Sequence, residues 1–102
     1  MKTQHEKIIA TMAKERGRKW FLPQDFMRGT LGELYVGYEA SARLSELASQ
    51  YPEMIESQRA GKYLKRRIRY EDITNWFETI PTSMQNIFKQ NGVSISQQST
   101  LL

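Results

Sequence analysis

Residues 37–70 read GYEASARLSELASQYPEMIESQRAGKYLKRRIRY, and this stretch decides the fold. Ala40, Leu44, Leu47 and Tyr51 recur at the spacing of one helical face, so a helix beginning around Gly37 or Tyr38 is predicted. Pro52 cannot continue it and disfavours helical geometry at Tyr51, which sets its end. Ser41, Ala42, Ser45, Glu46 and Ser49 fall on the sides or the opposite face. That surface is small and polar and can approach another surface closely. A hairpin follows. Gly61-Lys62 suits a two-residue type II′ turn with glycine first. Pairing about it sets Ile55 opposite Ile68, Ser57 opposite Arg66 and Arg59 opposite Leu64. Ile55, Leu64 and Ile68 then share one face, and Lys65, Arg67 and Arg69 point away from it. Arg59 and Arg66 fall on the apolar side near the tip. A ribbon tip projects beyond the core, so both are expected to stay hydrated.

Upstream, residues 4–16 predict a first helix burying Ile8, Ile9, Met12 and Ala13, with Lys14 and Arg16 in its last turn and Gly17 as its stop. Lys19-Trp20-Phe21-Leu22, bounded by Gly17 and Pro23, reads as a short strand. Pro23 suits the first position of a second, short helix, with Asp25 in its first turn, Phe26 and Met27 inward and Gly29 at its end. Thr30–Val36 reads as a loop with an extra helical turn.

Downstream of the hairpin, Asp72 is positioned to cap a helix carrying Ile73, Trp76 and Phe77, which Pro81 breaks. Thr82 and Gln85 have the spacing of a capping box, Met84, Ile87 and Phe88 form an apolar stripe, and Asn91-Gly92 end that helix. Trp76, Phe77, Ile80, Ile87 and Phe88 have two uses. They complete the core against the first helix, or they form the contact of a homodimer. One domain over residues 1–92 is expected, with a helical extension from about residue 71 and a flexible tail over 93–102.

With 102 residues, 39% hydrophobic and 25% charged, the chain holds one modest core. It has no cysteine, which excludes disulfides and thiolate chemistry and argues against a zinc finger. His5 is the only histidine and has no neighbouring ligand type. The carboxylates do not pair in an acid–base pattern, no glycine loop is spaced to cradle phosphate, and no nucleophile has a matching base. The expectation is therefore no enzyme, no cofactor and no metal. No apolar run approaches the ~20 residues of a membrane span, and Met-Lys-Thr-Gln-His-Glu-Lys is not followed by the apolar block of a signal peptide. A cytoplasmic protein with no membrane partner is expected. The net charge is +4, but Arg59, Lys62, Lys65, Arg66, Arg67 and Arg69 run without an intervening carboxylate, so the rest of the chain is slightly acidic. This polarity marks a polyanion-binding face or a ribbon kept soluble by charge.

The order helix, short strand, helix, helix, hairpin resembles the winged helix-turn-helix family of DNA-binding domains over roughly residues 5–70. The resemblance rests chiefly on Ala40–Leu47 leading through Tyr51-Pro52 to Ile55–Arg59 and the Gly61-Lys62 tip, and on Trp20–Phe26 as the strand entering the second helix. The connection to the third helix is longer than the ~3–4 residues of a tight helix-turn-helix. The resemblance implies an α+β, mainly α fold, with residues 38–51 as recognition helix and 54–70 as basic wing. It also implies sequence-preferring binding of double-stranded DNA in transcriptional regulation of bacterial or phage type.

Carried over by position, the base- or phosphate-facing set is Tyr38, Ser41, Arg43, Ser45 and Ser49. The wing set on phosphates is Arg59, Lys62, Lys65, Arg66 and Arg67. A second clamp is Lys14, Arg16, Arg18 and Lys19. Arg43 offers guanine a bidentate fork worth ~1–3 kcal/mol of discrimination. It also has Glu39 and Glu46 within helical reach, a pairing worth ~0.2–0.5 kcal/mol. Glu46 would repel phosphate, so it either reads cytosine N4 or is solvated, and solvent is the expectation. Five or six phosphate contacts imply a log–log salt slope of about −5. The rival expectation is an adaptor of the same fold, with the basic wing on an acidic protein partner. Single-stranded nucleic acid is a third, weaker option resting on Tyr63 as a stacking surface.

Overall fold

The computed structural model of the protein describes residues 3–17, 20–26 and 40–94. Helix α1 spans Gln4–Lys14. The Thr3 hydroxyl accepts the Glu6 N–H at 3.1 Å, and the Glu6 carboxylate accepts the Thr3 N–H at 2.9 Å, closing a reciprocal capping box. The helix buries the expected Ile8, Ile9, Met12 and Ala13, together with Thr11, whose hydroxyl bonds back to the Lys7 carbonyl at 2.9 Å.

The segment expected to be a short strand pairs at one residue. Phe21 exchanges two backbone hydrogen bonds with Arg66, at 2.8 and 2.9 Å. Pro23–Phe26 then forms a 3-10 turn in place of the start of an α-helix, and the Asp25 carboxylate accepts the Leu22 N–H at 2.7 Å. Met27, Gly29, the Thr30–Val36 loop and the helix start at Gly37-Tyr38 lie outside the described residues.

Helix α2 spans Ala40–Gln50, with Ala40, Leu44 and Leu47 fully buried. Strands β1 (Ile55–Ala60) and β2 (Tyr63–Ile68) pair antiparallel in the expected register, Ile55 with Ile68, Ser57 with Arg66 and Arg59 with Leu64. Gly61 has φ of 65°, the left-handed conformation that a tight turn asks of its first residue. Only the base of the ribbon faces the core. Ile55 and Ile68 are buried, whereas Leu64 is exposed. Arg66 is buried, against the expectation of hydration, because its backbone is held between Ser57 on one side and Phe21 on the other.

Beyond the hairpin come a 3-10 turn (Tyr70–Asp72), helix α3 (Ile73–Trp76), a second 3-10 turn (Phe77–Thr79) and helix α4 (Thr82–Gln90). Two expected caps are not made. Asp72 occupies the N-cap position of α3 without a side-chain cap bond. The Thr82–Gln85 box does not form, because Pro81 is the N-cap and its carbonyl accepts from Met84 and Gln85. The Gln85 side chain turns back to the Phe77 and Ile80 carbonyls at 3.0 and 3.2 Å. At the other end, Gly92 has φ of 81°, Val93 donates to Phe88 and Gly92 to Lys89, a Schellman stop that buries Val93.

The architecture is α+β, mainly helical, with four α-helices and one two-stranded antiparallel sheet among the described residues. Helix α1 is packed between α2 and α4. Trp76, Phe77, Ile80, Ile87 and Phe88 are each at most 5% exposed, so of their two expected uses they take the core and not the dimer contact. Their surfaces are spent within the chain: Trp76 and Phe88 rings lie 5.3 Å apart, and the indole N–H donates to the Arg69 carbonyl at 2.7 Å. Among the described residues no helix is long and apolar enough to cross a membrane.

Phe88→Ala is expected to cost ~3–5 kcal/mol in urea denaturation, a large part of a small domain's stability. Thr3→Ala is expected to cost ~1 kcal/mol, through loss of the cap alone.

Candidate functional site

The flank of α2 carrying Ser41 and Ser45 faces the hairpin. Between them lies an open groove of about 210 Å³, lined by Pro23, Ser41, Ser45, Arg59, Lys62, Tyr63, Leu64 and Arg66, none of them acidic. Arg66 forms its floor. One guanidinium nitrogen donates to the Ser45 hydroxyl of α2 at 3.1 Å, and another donates to the Ser57 hydroxyl of β1. This side chain is what joins the helix to the ribbon. Arg66 is 6% exposed and has no carboxylate partner among the described residues. Burial lowers its pKa, yet a guanidinium stays protonated at any working pH, so the charge is present and no described carboxylate compensates it. Its Nε is also buried without a partner among the described residues.

Arg59 and Lys62 stand exposed at the ribbon tip and form no ion pair with any described residue. Tyr63 and Leu64, 47% and 38% exposed, flank them. The Lys65 ammonium sits 4.6 Å from the centre of the Trp20 ring, a cation–π contact that leaves its charge intact.

Arg67 does not join this set, which corrects its assignment to phosphate. Its guanidinium bonds both oxygens of Glu71, at 2.5 and 3.0 Å, and also bonds Glu56. The contiguous cation run contains no acid, but folding delivers two. Glu56 is the cross-strand partner of Arg67, and Glu71 lies four residues beyond it. The Glu71 hydrogen bond chiefly raises the Arg67 pKa, and the same bond holds the Glu71 carboxyl down at about 2.

Arg43 is likewise committed. It pairs with Glu46 at 3.0 Å, and Glu46 in turn bonds His5 Nε2 of α1 at 2.8 Å. Position 43 is roughly 200° around the helix from position 45, so this network faces α1 and not the groove. Glu46 is therefore a bridge between helices, where a solvated side chain was expected, and His5 has a structural partner that sequence spacing does not reveal. Arg16, assigned to a phosphate clamp, donates to the Asn91 carbonyl at 2.6 Å. There it meets the negative end of α4. Nearby, burial pushes the Tyr70 phenol up to about 12, with the Arg16 charge partly offsetting the rise. Lys14 is exposed in the last turn of α1 and Ser49 on the outer face of α2. Tyr38, Arg18 and Lys19 lie outside the described residues.

The structure thus gathers Ser41, Ser45, Arg59, Lys62 and Arg66 at one groove, with Lys65 on the same ribbon, and removes Arg16, Arg43 and Arg67 to internal partners. Comparison with protein-family models, with curated proteins and with solved structures finds no match for this chain.

The Glu71 pKa is depressed from 4.5 to about 2, so its pairing stabilises the fold fully above about 4.5 and is lost as pH falls towards 2. Half of the Glu71 side chain is exposed, which limits the contribution to about 1 kcal/mol or less. Between pH 5 and 2, the melting temperature of the wild type is expected to fall more steeply than that of Glu71→Gln, and thermal melts across about that window check it.

Proposed function

We propose that this chain is a winged-helix domain that binds double-stranded DNA with sequence preference, in transcriptional regulation of bacterial or phage type. The observation that carries the reading is the shared groove. The small, hydroxyl-bearing flank of α2 and the cationic tip of the ribbon line one acid-free concavity. The order of elements supports it further. An extended residue after the first helix bridges the second ribbon strand, a helical turn follows, and then come the helix and the hairpin.

In this reading α2 enters the major groove with Ser45 and Ser49 towards the bases, while Arg59, Lys62 and Lys65 meet phosphates. Arg43 offers little discrimination as it stands, since a guanine contact requires leaving Glu46. Three cations on phosphate give a log–log salt slope of about −3, smaller than the −5 implied by the cation count alone.

The exposed Tyr63 and Leu64 favour a second reading. A basic tip carrying two apolar side chains fits an acidic protein partner as well as it fits a backbone.

Fluorescence anisotropy with a random-sequence duplex at several salt concentrations separates the two. Micromolar binding at low salt with a slope near −3 is expected for the DNA reading. No binding, or a flat salt response, favours the protein partner. Changing both Arg59 and Lys62 to Ala is expected to weaken all duplexes alike and to reduce the slope by about 2.

A further inference from the structure

Arg66 brings a full positive charge beneath the groove, and the described residues supply only neutral hydroxyls to meet it. A buried charge lacking a counter-charge is costly unless something else provides one. A serine hydroxyl has one proton and two lone pairs. The guanidinium takes a lone pair from Ser45 and one from Ser57, and neither hydroxyl donates to any described residue. Each proton must turn away from the cation, because a donor pointed at a donor is repelled.

We infer that the seam between α2 and the ribbon is a binding position for a single anionic oxygen, in which Arg66 is a positioning residue that presents the Ser45 hydroxyl as a donor. Arg59 and Lys62 on the rim draw the anion in, and Arg66 supplies the counter-charge from below. A cation at that point is repelled by Arg66 beneath it. The identity of the anion as a DNA phosphodiester rests on the function proposed above; the oxyanion preference itself does not. A phosphodiester seated here fixes the register of α2 on the duplex, so position 45 reads backbone geometry before it reads a base.

The test uses the full chain, with nitrogen-15 NMR of the Arg66 guanidinium as its readout. Inorganic phosphate added to the wild type is expected to shift the Arg66 side-chain resonances saturably, and not to do so in Ser45→Ala. Imidazolium at matched ionic strength is expected to leave them in place. A second arm measures random-duplex affinity for Ser45→Ala, Arg66→Lys and the pair together. Lysine keeps the charge but cannot hold both hydroxyls. Each single change is expected to weaken binding ~5–10-fold, and the pair by clearly less than the product of the two, because both disturb the same Ser45 hydroxyl.

Equal shifts with phosphate in wild type and Ser45→Ala would overturn the inference. So would duplex losses that simply multiply in the double variant. Saturable phosphate shifts without duplex binding would uphold the oxyanion position and sink the DNA reading alone. Urea denaturation of each variant, with unchanged denaturant slope, establishes that the affinities come from folded protein.

Discussion

The geometry of the groove depends on one side chain, Arg66. Its main-chain N–H and C=O both bond Phe21 before the 3-10 turn, while Ser57 of β1 stands opposite it as its register partner. Its guanidinium then reaches sideways to Ser45. Three segments distant in sequence are thus referenced to a single residue. A two-stranded ribbon is marginal by itself and needs packing against something else. Here Ile55 and Ile68 anchor its base in the core while Arg66 sets its angle to α2. A hydrophobic residue at position 66 would serve packing equally well. A cation satisfied by two hydroxyls fixes direction as well as distance, and it leaves the surface above it electrically prepared for a ligand.

Positive charge in the sequence and positive charge at the surface are different quantities. Six cations stand in the ribbon segment, yet folding withdraws three of them by different routes, Arg69 by sharing Glu56 at 3.9 Å. Arg66 goes inward to hydroxyls, and Arg67 is matched by carboxylates on both sides. Arg43 and Arg16 are withdrawn in the same way, one to Glu46 and the other to the free carbonyl of a helix end. What remains for a polyanion is a compact set at the tip. Affinity for a polyanion tracks charges that meet phosphates, not charges that occur in the chain. A uniformly basic ribbon would bind every nucleic acid indiscriminately. Neutralising its root leaves the unpaired cations at the end that α2 accompanies.

The ribbon register and the buried face of α2 were legible from local rules. A glycine turn fixes which residues oppose one another, and a helical period fixes which face is apolar. The Glu56–Arg67 pair is legible too, since the derived register places those positions across from each other, although the contiguous cation run contains neither of the acids. Thr3-Gln4-His5-Glu6 has the spacing of a capping box, a polar signal that apolar periodicity does not carry. Other features were not legible. His5 meets Glu46 across 41 positions and Arg16 meets Asn91 across 75. No periodicity or motif encodes such meetings, because they follow from how α1 is packed between α2 and α4. The burial of Arg66 belongs to the same class. Amphipathic alternation marked it as a residue on the apolar side, and only the arrival of Phe21 on its outer edge decides whether that side is wet or dry.

The embrace of α1 by α4 also governs how the chain comes to be folded. Contacts between α1 and α4 join segments about 75 positions apart, a slow kind of closure, because its entropy is spent before any packing is returned. During synthesis the apolar stripe of α1 emerges early and its seat on α4 emerges late. Until Val93 has left the ribosome, Ile8, Ile9 and Met12 lack part of their cover. The aromatic cluster after the hairpin is therefore a closing latch. A nascent chain lacking it carries an exposed oily surface, and that makes this chain a candidate for chaperone handling during translation.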